Sequence, residues 1–92
     1  MKPQITFSSH QHAITRGAME QLQKLNYQPD LLLTRHFACD WQELEAEDIK
    51  TNRYALENGL RVMSAYTIQH IRFWIITEAD RSVTTILLPS EY

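Results

Sequence analysis

The sequence predicts an α+β fold, a small antiparallel sheet of three or four strands packed against two or three short helices. Two observations carry this reading. The last third holds three runs rich in β-branched and aromatic residues, RVMSAYT from Arg61, IRFWIITE from Ile71 and SVTTILLP from Ser82, joined by short connections. Before them, about residues 15–58 carry apolar residues at helical spacing, with caps and stops between the helices. The helical region precedes the meander, about residues 61–89, in one compact domain covering residues 1–92.

Taken in order, residues 4–8 (QITFS) are a candidate first strand with Ile5 and Phe7 on one face. Thr15 suits an N-cap, and Arg16 to Leu25 reads as a helix whose stripe is Ala18, Leu22 and Leu25, with Met19 beside it. Asn26 to Pro29 breaks the pattern, and Pro29 can open the next helix. Asp30 to Phe37 reads as that helix. Leu31, Leu32, Leu33 and Phe37 supply more apolar surface than one stripe needs, which predicts burial on more than one side. Asp40 with Glu43 three residues on has capping-box spacing. Glu47 and Asp48 then suit the first turn of a helix running to about Asn58, where negative charge opposes the dipole favourably. Its inner face is Ile49, Asn52 or Arg53, and Leu56, and Gly59 stops it.

In the sheet, Val62, Ser64 and Tyr66 share one face, with Met63 and Ala65 on the other. Phe73 and Ile75 alternate with Trp74 and Ile76, and Val83, Thr85 and Leu87 with Thr84, Ile86 and Leu88. Gln69-His70 is the first turn, and Asp80-Arg81-Ser82 is a stronger turn signal. Pro89 ends the last strand. Both faces carry apolar groups, so one is expected to be covered by the N-terminal strand, a second copy or a partner.

Composition bounds the function. Ninety-two residues bury a modest core and leave little material for a deep pocket. The net charge of -2 does not fit a general nucleic-acid binder. One cysteine, Cys39, excludes an internal disulfide framework, and the start MKPQITFSSHQH lacks the apolar run of a signal peptide. No run is long enough to cross a bilayer, so a cytoplasmic protein is expected.

No catalytic constellation stands out. His10 and His12 form an HxH pair, but no further ligands lie at characteristic spacing, and structural or surface roles fit better than a metal. His36, Cys39 and Asp40 show no zinc-finger or metallohydrolase pattern. Cys39 with His36 or His70 would need a positioned base and a lowered thiol pKa; a small half-buried side chain is simpler. Neither a catalytic residue, a metal nor a cofactor is expected.

Surface chemistry offers more. Between Asp40 and Asp48 lie five acidic residues; the rest of the chain has nine basic and six acidic ones. One acidic and one mildly basic face would follow, a polarity that guides protein encounters. The partner-binding candidates are Arg61, Arg72 and Arg81 for carboxylates or phosphates, Trp74 and Tyr66 for apolar contact, and Glu45, Glu47 and Asp48 for a basic surface. Trp41 is expected to fix its loop onto the core.

Asp40-Trp41, the stretch from Glu47-Asp48 to Gly59, and Trp74 to Tyr92 carry a resemblance. DWQELEAEDIKTNRYALENG followed by FWIITEADRSVTTILLPSEY resembles a family of small proteins encoded by phages, plasmids and other mobile elements. The match spans roughly the last two thirds of the chain. More narrowly, the chain is similar to phage anti-CRISPR proteins directed against the type I-F surveillance complex. That resemblance implies a non-enzymatic inhibitor docking on the backbone subunits of this crRNA-guided complex, near the crRNA, in an infected bacterial host. There it would block target-DNA binding or hybridisation. The family often has a glycine before the Asp-Trp pair, where Cys39 stands here, and Gln69-His70-Ile71 lacks a turn glycine. The alternative class is a small regulatory or adaptor protein of a mobile element acting through protein-protein contacts.

Overall fold

The Thr15 hydroxyl accepts the Ala18 amide at 3.3 Å and starts helix α1, Arg16–Leu25. A computed structural model describes residues 7–92 of the chain. Ala18 and Leu22 are buried on the inner stripe of α1. Asn26 ends the helix in the left-handed region, φ 54°, a conformation that Asn tolerates better than most residues. Helix α2, Pro29–Phe37, opens on its proline and buries Leu32, Leu33 and His36; Leu31 stays half exposed. Helix α3, Ala46–Asn58, has Glu47 and Asp48 in its first turn and buries Asn52 and Ala55, while Arg53 is exposed. Gly59 closes it at φ 64°. A Cβ at Gly59 would meet nothing within 4 Å, so its positive φ, rather than space, favours glycine.

Asp40 does not cap α3, contrary to its spacing with Glu43. The N-cap position is Glu45, which makes no side-chain cap bond. Asp40 and Glu43 instead face cations. Arg35 Nε donates to Asp40 Oδ2 at 2.8 Å, and Arg35 Nη2 lies 3.6 Å from Glu43 Oε2.

Four strands follow the order β1-β4-β3-β2, with β1 Gln11–Ile14, β2 Val62–Ile68, β3 Ile71–Thr77 and β4 Val83–Leu87. The meander β2-β3-β4 is antiparallel, as the sequence predicts, and β1 joins β4 in parallel, so the α+β sheet is mixed. The sequence reading places a first strand at QITFS. Most of that segment lies outside the described residues, and Phe7 and Ser8 belong to no strand. Phe7 packs edge-on against Phe37, with ring centroids 5.3 Å apart, and its amide donates to the Phe37 carbonyl. β1 forms further along, from QHAI.

Gln69 and His70 make a two-residue hairpin loop between the paired Ile68 and Ile71, both at positive φ (46° and 77°). This is the type I′ signature, favoured because its twist matches the strands. Arg81 takes φ 62° in the β3–β4 turn, where the Asp80 carboxylate accepts the Ser82 amide at 2.9 Å.

One sheet face carries the core. Tyr66, Phe73, Ile75 and Ile86 pack with Ala18, Leu22, Leu32 and Leu33 from α1 and α2. A second cluster joins Trp41, Ala55 and Val62 beneath α3.

Candidate partner-binding surface

Strand alternation decides which side chains share the other face. The register pairs Ala65 with Trp74 and Trp74 with Leu87, and pairs Met63 with Ile76 and Ile76 with Thr85. Arg72 and Trp74 therefore sit on the face opposite the main core, and Arg61, just before β2, is on the same side. Trp74 is half-buried, its ring edge-on to Tyr92 with centroids 5.5 Å apart. Arg61 donates to Glu78 Oε1 at 3.3 Å and to the Tyr92 hydroxyl at 2.9 Å, and the Glu78 carboxylate raises the guanidinium pKa. Arg72 donates to Glu43 Oε1 at 3.3 Å and to the Thr67 hydroxyl at 3.0 Å. Three of the expected contact residues thus meet on one face, but both arginines there already hold carboxylates.

Two expected contact residues go elsewhere. Tyr66 is fully buried (0 % exposed), so it offers no surface. Its position on the Val62–Ser64 face turns it into the core, its hydroxyl donates to the Asp40 carbonyl at 2.7 Å, and burial pushes its phenol up to about 12. Arg35 stacks over its ring at 4.2 Å, a cation–π contact. Arg81 is committed to backbone. Its guanidinium donates to the carbonyls of Leu60, Glu78, Ala79 and Ala55, tying the β3–β4 turn to the C-terminal end of α3. A cation is favourable at that end of a helix.

Glu45, Glu47 and Asp48 are exposed at the start of α3, and none forms a salt bridge among the described residues. Asp48 lines a groove of about 220 Å³ between α3 and β2, with Leu44, Thr51, Arg61, Met63 and Ala65. This groove joins the acidic helix start to the outer sheet face.

The edge of β2 beside the groove is partly blocked by side chains. The Asn52 amide donates to the Met63 carbonyl at 2.7 Å and accepts the Met63 N–H at 3.2 Å, standing in for a neighbouring strand. Four residues on, Glu43 accepts the Thr67 amide at 3.0 Å. Blocking an edge in this way opposes strand addition by another chain. From sequence, Asn52 is only one option for the inner face of α3, with no sign of this role.

The largest unexpected feature is a buried polar chain around His36, which is 0 % exposed. Trp41 Nε1–H donates to Ser64 Oγ at 2.9 Å; Ser64 Oγ meets His36 Nδ1 at 2.5 Å, and His36 Nε2 meets Thr77 Oγ1 at 2.8 Å. Thr77 contacts Thr84, and Thr84 contacts Ser9, each at 2.7 Å, and Ser9 donates to the Gln11 carbonyl at 3.1 Å. Each hydroxyl has one proton, and the carbonyl can only accept. Ser9 spends its proton on Gln11, so Thr84 donates to Ser9, Thr77 to Thr84, and His36 Nε2–H to Thr77. The neutral ring then accepts from Ser64 at Nδ1. Burial pushes the His36 pKa down to about 3.

Both ring nitrogens of His36 are engaged by hydroxyls, which leaves neither for Cys39. Burial raises the Cys39 thiol pKa, against a smaller opposing effect of Arg53. Cys39 is half-buried in the left-handed region at φ 58°. His10 and His12 gather no further ligands; among the described residues no group of three or more His, Cys, Asp or Glu side chains is placed to hold a metal ion. No helix among them is long and apolar enough to cross a membrane. Compared with known proteins, the chain matches no family model, no curated sequence and no solved structure.

Proposed function

We propose that this chain is a non-enzymatic anti-CRISPR inhibitor that binds the type I-F crRNA-guided surveillance complex and blocks target-DNA binding. The target follows from the resemblance of its Asp40–Gly59 and Phe73–Tyr92 segments to that family. The mode of contact rests on one observation, the state of the charges. Arg61 and Arg72 hold internal carboxylates and Arg81 is spent on carbonyls, while Glu45, Glu47 and Asp48 are exposed without ion pairs. Free negative charge beside a groove suits a basic surface, and a channel that tracks nucleic acid is positively charged. The acidic start of α3 therefore competes with nucleic acid on the backbone subunits, and the arginine face takes the lesser part.

Charge reversal separates the two faces. Glu45→Lys with Glu47→Lys should abolish recovery of the type I-F complex in a pull-down read by mass spectrometry. Arg72→Glu should have a smaller effect. Failure of the wild-type protein to recover the complex would sink the target assignment. Unchanged capture by the folded Glu45→Lys/Glu47→Lys protein would sink the acidic contact.

A further inference from the structure

After β4 the chain leaves the sheet and folds back across it. Pro89–Glu91 forms one 3-10 turn, and Tyr92 follows. Two side chains hold this strap, at two separate places. The Glu91 carboxylate reaches the first turn of α1, accepting the Thr15 hydroxyl at 2.5 Å and the Gly17 amide at 3.2 Å, and it also accepts the Leu88 amide at 2.9 Å. Gly17 makes room for it, because a Cβ there would lie 2.6 Å from Glu91 Oε2. Tyr92 spans the outer sheet face, its ring against Trp74 and its hydroxyl accepting from Arg61. One short strap therefore covers two of the residues on the outer face. All of its side-chain hydrogen bonds are exposed, and Tyr92 itself is 70 % exposed. A segment held by exposed hydrogen bonds, with little buried apolar contact, is among the first to open.

We propose that Pro89–Tyr92 is an autoinhibitory latch: closed, Tyr92 covers Trp74; open, it bares Trp74 to the surveillance complex, while Arg61 stays paired with Glu78. The partner arm of this proposal rests on the binding role given above; the opening of the latch does not. Glu91 is the catch. It touches neither Trp74 nor Arg61 among its hydrogen bonds, so its loss reaches Trp74 only by freeing the strap.

The test labels both tryptophans with 5-fluorotryptophan and follows the two resonances by fluorine NMR, Trp74→Phe supplying the assignment. Glu91→Ala and the milder Glu91→Gln should make Trp74 more accessible to a soluble paramagnetic quencher, with the open fraction rising roughly tenfold for Glu91→Ala. Tyr92→Ala should do the same directly. Buried Trp41 should be unaffected in all three, which also reports that the fold is intact. Unchanged Trp74 accessibility in both Glu91 variants would overturn the latch. In capture of the type I-F complex, Tyr92→Ala should bind more tightly than wild type, and unchanged or weaker binding would overturn autoinhibition. If no variant captures the complex, the target assignment fails and the fluorine measurement alone judges the latch.

Discussion

Acidification should destabilise this protein through His36. The unfolded chain protonates this imidazole near pH 6.5, whereas burial holds the folded one down to about 3. Between those values the unfolded state binds the extra proton. The stabilisation is therefore complete above about pH 6.5 and is lost as pH falls toward the folded value, at roughly 1.4 kcal/mol per pH unit. By about pH 4.5 the loss should be roughly 2–3 kcal/mol, a large fraction of a small domain's stability. Protonation also has a geometric cost. A charged ring must donate from Nδ1 to Ser64, whose oxygen already accepts from Trp41, and the Ser64 proton then needs another acceptor.

Urea unfolding across this pH range, for wild type and His36→Gln, isolates the effect, because other titrating groups largely cancel in the difference. The stability gap between the two proteins should shrink by about 2–3 kcal/mol from neutral pH to about pH 4.5. Long-range nitrogen NMR of the imidazole gives a second readout that needs no variant. It should show a neutral ring with the proton on Nε2 at pH 5. A ring that titrates near 6.5, or carries its neutral proton on Nδ1, would refute the buried one-way chain of donors.

Four other outcomes follow from the backbone and its seals. Gln69→Asn with His70→Gly should raise the urea midpoint, relieving strain of about 1 kcal/mol per non-glycine residue at positive φ, partly offset by the entropy of glycine. Cys39→Gly should stabilise for the same reason. Asn52→Ala should cost about 2 kcal/mol by unpairing both Met63 backbone groups, and it should raise the apparent mass in light scattering as β2 becomes available to other chains. Arg81→Ala should lower thermal stability by about 1–3 kcal/mol yet leave partner capture unchanged at temperatures where it stays folded.

Helices and meander were legible because their signals are local. Thr15, Pro29 and Gly59 mark boundaries by their own conformational preferences, and β2 and β3 alternate cleanly. The same alternation groups Arg72 with Trp74, and it also places Tyr66 with Val62 and Ser64. A surface role for Tyr66 conflicts with that alternation, which turns it inward with Val62 and Ser64. β1 was not legible, since QHAI is largely exposed and is recruited by backbone pairing with β4, which leaves no apolar period. The spacing of Asp40 and Glu43 suggested a local cap, while their cations, Arg35 and Arg72, come from other elements. Asn52 acquires its role only because α3 lies along a strand edge, a relation that no single stretch of sequence contains.

The chain of hydroxyls has one more consequence. Ser9 precedes β1, Thr84 is in β4, Thr77 in β3 and Ser64 in β2, so the row crosses the sheet in strand order, with His36 bridging its last two members. A one-residue slip of β2 would put Met63 or Ala65 where Ser64 stands; a slip of β3 would bring Ile76 to the place of Thr77. Either error strands a buried donor or acceptor, at about 1–3 kcal/mol for each group left unpaired. The small hydroxyls thus work as an alignment key, adding to the penalty that the apolar pattern already places on a misregistered sheet.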